Sequence, residues 1–326
     1  MRRICHLVDD TSPGGVTRFL DTIKSSPGMC ELGHHRIVPL RAGLSTPPGI
    51  EADVIVSHIV LSWKNLPFLF QLRARNVRTP MIHMEHSYSP AFEKLYVASP
   101  VRFGAMLTVG LSLFDRVISI SSAQQQWLKD KARLSDSKIV LIPPFVDLTD
   151  FLKMQPRLRP AKRIGAIGRL DPQKGFDILI PAFREAAAHG LTLEIFGDGP
   201  ERQALEKLSE MNPAITFHGH VDDPVAAMES VDIIAMPSRR EPYGLVAIEA
   251  LAAGRTLLVS RVDGLVDHAH NGAIAVDRLI VTDWAAALKA ASTIDDRIKI
   301  DRARGIAELS EGKSVIGWKD LLDEIA

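Results

Sequence analysis

The stretch from Pro237 to Gly254, PSRREPYGLVAIEALAAG, constrains this chain more than any other. It follows an apolar run at 231–236 that is typical of a buried strand, and it continues into good helix formers that end at a glycine. The predicted order is therefore strand, polar loop and helix. A helix that begins beyond the carboxyl end of a strand offers free N–H groups and a positive dipole end, which favours a phosphate ligand.

Two carboxylates frame this stretch, Glu241 in the loop and Glu249 in the helix, with Pro242 and Gly244 between them. On one regular helix they would lie roughly 12 Å apart along the axis, too far to share a proton. They suit two ends of one ligand, so the stretch predicts a site for a phosphorylated, polyhydroxylated molecule. A capped helix with one solvated glutamate is the alternative interpretation.

The run Glu-Pro-Tyr-Gly-Leu, followed by Glu249, resembles the E-x7-E motif of retaining GT-B glycosyltransferases of family 4. The resemblance implies an α/β chain of GT-B architecture, with two Rossmann-like doubly wound domains facing a cleft. It also implies that Glu241 contacts the sugar hydroxyls of a nucleotide-sugar donor and that Glu249 holds the donor ribose. Tyr243, Gly244 and Leu245 are expected to contact the donor as well.

The length of 326 residues exceeds the usual size of one core, so two domains are expected. By the resemblance, residues 1–146 form an acceptor-binding domain and residues 147–311 a nucleotide-sugar-binding domain. The amphipathic segment 312–326 is expected to form a helix that packs back on the first domain. Pro144 and Phe145 stand at the crossing, where the family usually has Asn-Gly, and residues 148–163 are interpreted as a linker.

Charge and cysteine content exclude several classes of protein. Lysine plus arginine equal aspartate plus glutamate, 39 each, so no basic surface for nucleic acid is expected. Cys5 and Cys30 are too few for a disulfide framework and lack metal-ligand spacing. The first residues reach acids before a signal-length apolar core, and the apolar stretch 95–114 is interrupted by Pro100. A cytoplasmic location is therefore expected.

The segment 164–183 predicts a second strand, turn and helix, with Arg169 and Lys174 flanked by Gly168 and Gly175. Two cations over a helix N-terminus predict a diphosphate clamp, although a surface loop with solvated cations is the alternative. Gly-Arg-x4-Lys-Gly also matches the donor-phosphate motif of family 4. Since these cations would neutralise the leaving diphosphate, neither a metal nor another cofactor is expected.

Three further loops resemble donor-binding elements of the family. Gly197 and Asp198 follow a predicted strand, as the family's glycine loop does. Val221 lies where the family packs the nucleotide base, and Gly264 lies in a glycine turn in which Asp263 replaces a frequent second glycine.

In the first half, Gly14 and Gly15 follow a predicted strand at 4–8 and precede a helical pattern. This strand, glycine turn and helix can receive phosphate, and it resembles the first loop of family-4 enzymes, which lies against the donor. His86 with Ser87 resembles the histidine and small hydroxyl residue that face the transferred sugar, and His83 is the second candidate. A structural histidine is the alternative, and a metal site is not expected.

The segment 62–80 mixes aromatic and basic side chains, which are Trp63, Phe68, Phe70, Arg73, Arg75 and Arg78. Such a helix can lie on an anionic membrane surface, but an amphipathic domain helix with a solvated basic side is the favoured interpretation. Peripheral contact with the inner face of a membrane, and a lipid or lipid-linked acceptor, are therefore hypotheses. A soluble sugar acceptor stays open.

The sequence thus predicts a retaining glycosyltransferase that moves a hexose-type sugar from a UDP-, GDP- or ADP-sugar to a hydroxyl acceptor. No carboxylate is assigned as a nucleophile for retention. An epimerase or phosphorylase on the same scaffold is one alternative. A noncatalytic protein that binds nucleotide sugars is the other.

Overall fold

The computed structural model describes residues 1–40, 47, 49–156, 161–186, 190–293 and 297–325. The chain divides into two compact units, one of residues 1–146 and 310–326 and one of residues 147–309. The elements of the first unit are β1 (Arg3–Val8), α1 (Gly15–Ser25), α2 (Pro27–Leu32), β2 (His34–Pro39), β3 (Val54–Ser57), α3 (Leu66–Arg75), β4 (Met81–Met84), α4 (Pro90–Tyr96), α5 (Pro100–Ser112), β5 (Arg116–Ser119), α6 (Ser122–Ala132) and β6 (Ile139–Leu141).

The second unit begins with a short helix and then alternates strands with helices. Its elements are α7 (Thr149–Lys153), β7 (Arg163–Ile167), a 3-10 turn (Pro172–Lys174), α8 (Phe176–Ala186), β8 (Thr192–Phe196), α9 (Arg202–Leu208), β9 (Ile215–Gly219), α10 (Pro224–Glu229), β10 (Ile233–Met236), α11 (Leu245–Ala252), β11 (Thr256–Ser260), α12 (Leu265–His270), β12 (Ile274–Val276), α13 (Val281–Thr293) and α14 (Arg297–Glu308). The last helix, α15 (Ser310–Glu324), belongs to the first unit.

Each unit contains a six-stranded sheet whose strand pairs are parallel. The strand order is β2-β1-β3-β4-β5-β6 in the first unit and β12-β11-β10-β7-β8-β9 in the second. In both sheets the first strand along the chain lies inside the sheet, which is the doubly wound arrangement. The predicted α/β class with two doubly wound sheets is confirmed.

Continuous apolar runs explain the central strands. Strands β3, β4 and β10 (VIVS, MIHM and IIAM) are buried along their whole length, as expected where helices cover both faces of a parallel sheet. In the first unit, Cys5 and Leu7 of β1 pack into a core formed with α3, α5 and α6. The alternate residue His6 lies on the opposite face, where its ring is 6.2 Å from that of Trp318 in α15.

Helix α15 is attached to the first unit by polar contacts as well as by buried Trp318. The Ser314 hydroxyl donates to the Pro143 carbonyl at 2.6 Å, and the Ser26 hydroxyl donates to Glu311 Oε1 at 2.6 Å. The last helix therefore closes the sheet face that carries His6.

The interpretation of residues 148–163 as a linker is wrong for part of that segment. Residues 149–153 form α7, and Phe151 on this helix is buried. Burial of its apolar side chain offsets the cost of ordering one short helical turn. Arg163 already belongs to β7, whereas residues 157–160 lie outside the described residues.

Helix α3 has one apolar side in the core. Phe68 is 9% exposed, whereas Trp63 and Phe70 are 49% and 48% exposed. The Arg73 guanidinium forms an ion pair with Asp115 at 2.9 Å. Within the described ranges, no helix combines the length and the apolar character needed to cross a bilayer.

Candidate functional site

The centre of the second sheet brings two loops together. Strands β7 and β10 are neighbours, but the chain leaves β7 towards β8 and leaves β10 towards β11 on the opposite side. This reversal of strand order opens a crevice at the carboxyl ends of the two strands, where open α/β sheets bind ligands. The loops at this position are residues 168–175 after β7 and residues 237–244 after β10.

An ion pair joins the two loops. Lys174 Nζ lies 2.6 Å from Glu241 Oε2, and the Ser238 hydroxyl donates to the same oxygen at 3.2 Å. The Lys174 side chain is half-buried and Glu241 is only 9% exposed. A cation and a carboxylate are thus held side by side in a partly buried position, where their electrostatic attraction is stronger than in bulk water.

Glycine backbones allow the loops to approach this closely. Gly175 has φ +69°, and a Cβ atom there would lie 2.0 Å from the Pro237 carbonyl oxygen. Gly197, at the end of β8, has φ +134°, and a Cβ there would lie 2.0 Å from the Gly168 carbonyl oxygen. Any other residue at either position would displace the backbone that carries Lys174.

A second ion pair holds the same loops from outside. Arg239 Nη1 and Nη2 donate to the two carboxylate oxygens of Asp177 at 2.7 Å each, and the Arg239 amide donates to the Gln173 carbonyl at 2.8 Å. The hydrogen bond from Arg239 holds the pKa of Asp177 below its usual value. This bidentate pair fixes the 3-10 turn that ends at Lys174.

Asp263 and Gly264, which lie after β11, fix the backbone of Glu241. The Glu241 amide donates to Asp263 Oδ2 at 3.1 Å, and the Gly264 amide donates to the Glu241 carbonyl at 3.0 Å. A Cβ on Gly264 would lie 2.3 Å from the Pro242 carbonyl oxygen. The side-chain carboxylate of Asp263, which stands where a second glycine is frequent, therefore accepts a hydrogen bond from the backbone of Glu241.

Helix α11 begins directly beyond this loop. Gly244 precedes it at φ +96°, half-buried Leu245 is its first residue, and Glu249 within it is 1% exposed. The Tyr243 ring packs edge-on against His268, whose Nε2 donates to the Tyr243 carbonyl at 3.1 Å. Burial raises the pKa of the Tyr243 phenol and lowers the pKa of His268 to about 4.

The other residues of this unit that were predicted to bind the nucleotide sugar lie on the far side of β7 or at the surface. Arg169 is exposed, and no ion pair of its guanidinium is found in the described part of the chain. Asp198 accepts from the Gly199 amide at 2.7 Å and pairs with Arg202 at 3.1 Å, and the Gly199 bond contributes most to its lowered pKa. Val221 is half-buried in the loop after β9.

In the first unit, the predicted site residues follow β1 and β4. Gly14 and Gly15 are exposed at the start of α1, and the Gly14 amide donates to Thr17 Oγ1 at 3.0 Å. His86 and Ser87 lie two and three residues beyond β4. Although β3 separates β1 from β4, the Phe19 ring of α1 is 6.0 Å from the His86 ring.

Glu85 organises the turn that presents His86. Its Oε1 accepts from the amides of Ser87 at 2.7 Å and Tyr88 at 3.0 Å, and its Oε2 lies 3.3 Å from His83 Nε2. Burial acts to raise the pKa of Glu85, but these hydrogen bonds hold it below its usual value. His83 is buried against this carboxylate, whereas His86 is partly exposed. Among the residues with described positions, no group of three or more His, Cys, Asp or Glu side chains is arranged to hold a metal ion.

Two family models match this chain, one for each half. "Glycosyltransferase Family 4" matches residues 40–150 and "Glycosyl transferases group 1" matches residues 161–293, which together exceed half of the chain. The chain belongs to the group 1, family 4 glycosyltransferases.

Individual proteins agree with this assignment. The D-inositol 3-phosphate glycosyltransferase of Stackebrandtia nassauensis is 28% identical over 323 residues, covering 88% of this chain and 69% of the relative. The glycogen synthase of Mycobacterium tuberculosis is 30% identical over 209 residues, covering 57% of this chain. The chain spans about half the length of that glycogen synthase, 50%. The crystal structure of Anabaena HepE in complex with UDP-glucose has the same fold, with a TM-score of 0.71, 18% identity and 99% coverage of both chains.

The structure brings together only some of the site residues predicted from the sequence. Lys174 and Glu241 are in direct contact, and Gly244 and Glu249 belong to the loop and helix that continue from Glu241. Gly197, Asp198 and Val221 follow β8 and β9, which lie beyond β7 in the sheet.

Sequence analysis missed three side chains that hold the site, namely Ser238, Arg239 and Asp177. The polar run Ser-Arg-Arg, one residue beyond the apolar strand β10, was a usable signal for the first two. Asp177 gave no signal, because an acid in the first turn of a helix is common whether or not it binds an arginine.

Proposed function

We propose that this protein is a retaining glycosyltransferase that moves a hexose-type sugar from a nucleoside diphosphate donor to a hydroxyl acceptor. The observation that carries the proposal is the Lys174–Glu241 pair at the carboxyl ends of β7 and β10. A fixed cation beside a fixed carboxylate suits a ligand in which a phosphate adjoins a sugar. Membership of the family supports the same activity.

In this proposal Lys174 and Arg169 bind the donor diphosphate. Negative charge develops on the diphosphate as the bond to the sugar breaks, and preorganised cations stabilise that charge most in the transition state. Lys174 then exchanges its contact with Glu241 for the phosphate oxygens. These two cations do the work that a metal ion does in other phosphate sites, so no metal is needed.

Glu241, released from Lys174, accepts hydrogen bonds from sugar hydroxyls, while Glu249 holds the ribose. The other proposed donor contacts are Gly14, Gly15, Ser87, Gly197, Asp198, Val221, Tyr243, Gly244 and Leu245. Because the Tyr243 ring is buried against His268, its backbone is the group proposed to reach the donor. His86 is proposed to contact the transferred sugar. Retention rests on the resemblance to family 4, and no nucleophile is assigned.

UDP-glucose is the first donor to test, because it is the ligand in the structure of Anabaena HepE. For the acceptor, we propose a lipid or lipid-linked hydroxyl. Trp63 and Phe70 are about half exposed, and Arg78 near the end of α3 is exposed. Exposed aromatic and basic side chains within one segment favour contact with an anionic membrane surface.

The test is the release of nucleoside diphosphate and the transfer of sugar from a panel of UDP-, GDP- and ADP-sugars, with and without membrane lipid extract. Lys174→Met is expected to lower turnover about 10²- to 10³-fold, the usual loss for one transition-state donor. Lys207→Met, at an exposed position of α9, is the matched control and is expected to match the wild type.

Equal turnover in Lys174→Met and Lys207→Met would contradict the proposal. Donor that binds but is never turned over would favour a noncatalytic nucleotide-sugar-binding protein. Donor that is converted without an acceptor would favour an epimerase or phosphorylase. Transfer that is indifferent to lipid extract but supported by a soluble sugar would overturn the lipid acceptor alone.

A further inference from the structure

Four histidines form one row across the sheet of the first unit. His35 lies in β2, His6 in β1, His58 directly after β3 and His86 two residues after β4. These strands are consecutive neighbours in the sheet, in the order β2-β1-β3-β4. Each strand, or the segment just beyond its end, therefore contributes one imidazole to the row.

The register of the strands explains why these rings face one another. His35 is paired with Ile4, so His6 lies two residues further along β1. His6 is paired with Val56, so His58 lies two residues beyond that position. Side chains alternate between the faces of a sheet, and a step of two residues therefore keeps each ring on the same face. The row moves diagonally towards the carboxyl edge of the sheet, where His86 is the last member.

The rings are joined through their nitrogens. His35 Nε2 lies 3.1 Å from the Met29 carbonyl oxygen, and His35 Nδ1 lies 2.9 Å from His6 Nε2. His6 Nδ1 lies 2.9 Å from His58 Nε2, and His58 Nδ1 lies 2.8 Å from His86 Nε2. All four separations are hydrogen-bond distances, so each needs one proton between its two atoms.

The carbonyl at one end determines where every proton lies in a neutral row. Since a carbonyl oxygen only accepts, His35 must carry its proton on Nε2, which leaves its Nδ1 as an acceptor. His6 must then donate from Nε2, and the same requirement passes through His58 to His86. The last ring therefore carries its proton on Nε2 and has an unprotonated Nδ1.

The surroundings keep the row neutral. His6, His35 and His58 are buried, and burial lowers the pKa of His6 to about 3 and that of His58 well below its usual value. The His86 pKa is lowered by burial to about 4, although Glu85 opposes this shift. One extra proton could be carried on Nδ1 of any one ring, but on His6, His35 or His58 it would place a positive charge in the core, which is costly.

Nδ1 of His86 is open to a ligand. Among the described residues, this nitrogen has no hydrogen-bond partner in the protein. It is also absent from the set of unpaired side-chain nitrogens and oxygens that are buried, so it is not enclosed by the protein. It is therefore accessible from outside the core, at the edge of the sheet where the candidate site residues Gly14, Gly15 and Ser87 also lie.

We propose that His58, His6 and His35 are positioning residues that fix the tautomer of His86, so that His86 Nδ1 accepts a hydrogen bond from a hydroxyl of the sugar substrate. The role resembles that of an acceptor placed behind a catalytic histidine, which fixes the ring and its proton. The assignment of a sugar to His86 rests on the proposed function, whereas the tautomer does not.

The tautomer is measured on the full chain labelled with ¹⁵N-histidine, at neutral pH and without ligand. Long-range ¹H–¹⁵N correlation spectra are expected to show the His86 proton on Nε2 and a lone pair on Nδ1. His35, His6 and His58 are expected to show slowly exchanging protons on Nε2. A proton on Nδ1 of His86, or rapidly exchanging tautomers in this ring, would overturn the proposal.

Two variants of nearly equal size test the link to catalysis. In His58→Gln, the amide oxygen can accept from His86 and the amide nitrogen can donate to His6, so the row is preserved. In His58→Met, neither bond is possible. We expect His58→Met to have a kcat about tenfold below that of His58→Gln, the worth of one lost hydrogen bond, with similar KM for the donor.

Equal kcat in the two folded variants would overturn the positioning role, and circular dichroism establishes that both are folded. If His58→Met does not fold, the pair His6→Gln and His6→Met repeats the comparison, and the wild-type spectrum still decides the tautomer. Absence of transfer in the wild type would count against the proposed function. It is distinguishable from failure of the row, because the spectra require no substrate.

Discussion

The carboxyl edges of the two sheets carry different chemistry. In the second unit, the edge residues are charged and paired across glycine loops, as Lys174 with Glu241 and Arg239 with Asp177. In the first unit, the edge residue His86 is neutral and is linked to the core through other imidazoles.

This difference corresponds to the ligands proposed for each edge. Fixed charges suit a diphosphate, whose own charge compensates for the loss of the Lys174–Glu241 contact. A neutral ring with a fixed lone pair suits a hydroxyl, which donates one hydrogen bond and carries no charge. The second edge, in the second unit, is thus expected to respond to changes of charge, and the first edge to changes of tautomer and pH.

After the loss of Lys174 itself, the largest effect on turnover is expected from removing the negative charge at the second edge. Glu241→Gln keeps the size of the side chain but loses the ion pair with Lys174 and the charged acceptor for a sugar hydroxyl. Turnover is expected to fall about 10- to 100-fold, the worth of a hydrogen bond to a charged group. Nucleoside diphosphate without sugar is expected to bind as tightly as before or more tightly, because Lys174 is no longer paired.

Steady-state kinetics and calorimetric titration of nucleoside diphosphate measure the two quantities. Glu185→Gln, at an exposed position of α8, is the control and should change neither. A parallel loss of turnover and diphosphate affinity in Glu241→Gln would show that the carboxylate supports the phosphate site instead of the sugar.

Acid is expected to destabilise the first unit more than the second. Burial lowers the pKa of His6, His35, His58 and His86 below the value of about 6.5 that holds in the unfolded chain. The unfolded state therefore binds more protons below pH 6.5, and the stability of the first unit falls as the pH decreases from 6.5 towards 4. We expect a loss of roughly 5 kcal/mol between pH 6.5 and 5, because each of the three strongly shifted rings, His6, His58 and His86, contributes about 1.6 kcal/mol over that interval.

The second unit contains His268, whose pKa burial lowers to about 4, so its loss is expected to be smaller. Urea unfolding at pH 7 and pH 5, followed by pulsed hydrogen exchange at one fixed pH, reports peptides of each unit separately. Equal acid sensitivity of the two units would contradict the assignment of a neutral histidine row to the first.

Substitution of two glycines tests whether the close approach of the two loops at the second edge contributes to stability. Gly175→Ala introduces a Cβ 2.0 Å from the Pro237 carbonyl oxygen at φ +69°, whereas Gly190→Ala places one in open space at φ +84°. We expect Gly175→Ala to lose about 2 to 3 kcal/mol of stability and Gly190→Ala about 1 kcal/mol, because only the first adds a clash to the backbone strain. Urea unfolding measures both, and equal losses would mean that the loops tolerate separation.

The smallest effect is expected from the outer ion pair. Asp177→Asn is expected to lose at most about 1 kcal/mol of stability at pH 7, because the pair is partly exposed. The hydrogen bond from Arg239 lowers the pKa of Asp177, so its contribution is present above pH 3.8 and disappears as the pH falls through the lower folded pKa. Unfolding curves from pH 7 to pH 3 measure the difference, and a difference that stays constant would contradict this origin.

Much of the second edge was predictable because its signals are local. The glycines around Lys174, the polar loop after β10 and the helix formers after Gly244 each lie within a few residues of the group that they position. The contact between Lys174 and Glu241 spans 67 positions, yet it follows from the rule that carboxyl ends of neighbouring parallel strands meet at one edge. The partial error at residues 148–163 arose because burial of Phe151, not local propensity, forms α7.

The sequence by itself determined the α/β class, the order of strand, loop and helix, and the residue types at both edges, because these depend on hydrophobic pattern and on short spacings. Only the tertiary structure decided which other residues position these edge residues. Asp263 reaches the Glu241 amide, and His35, His6 and His58 line up behind His86, because strand order and register bring distant positions to one face. A shift of one residue in either register would turn a ring to the opposite face and break the row.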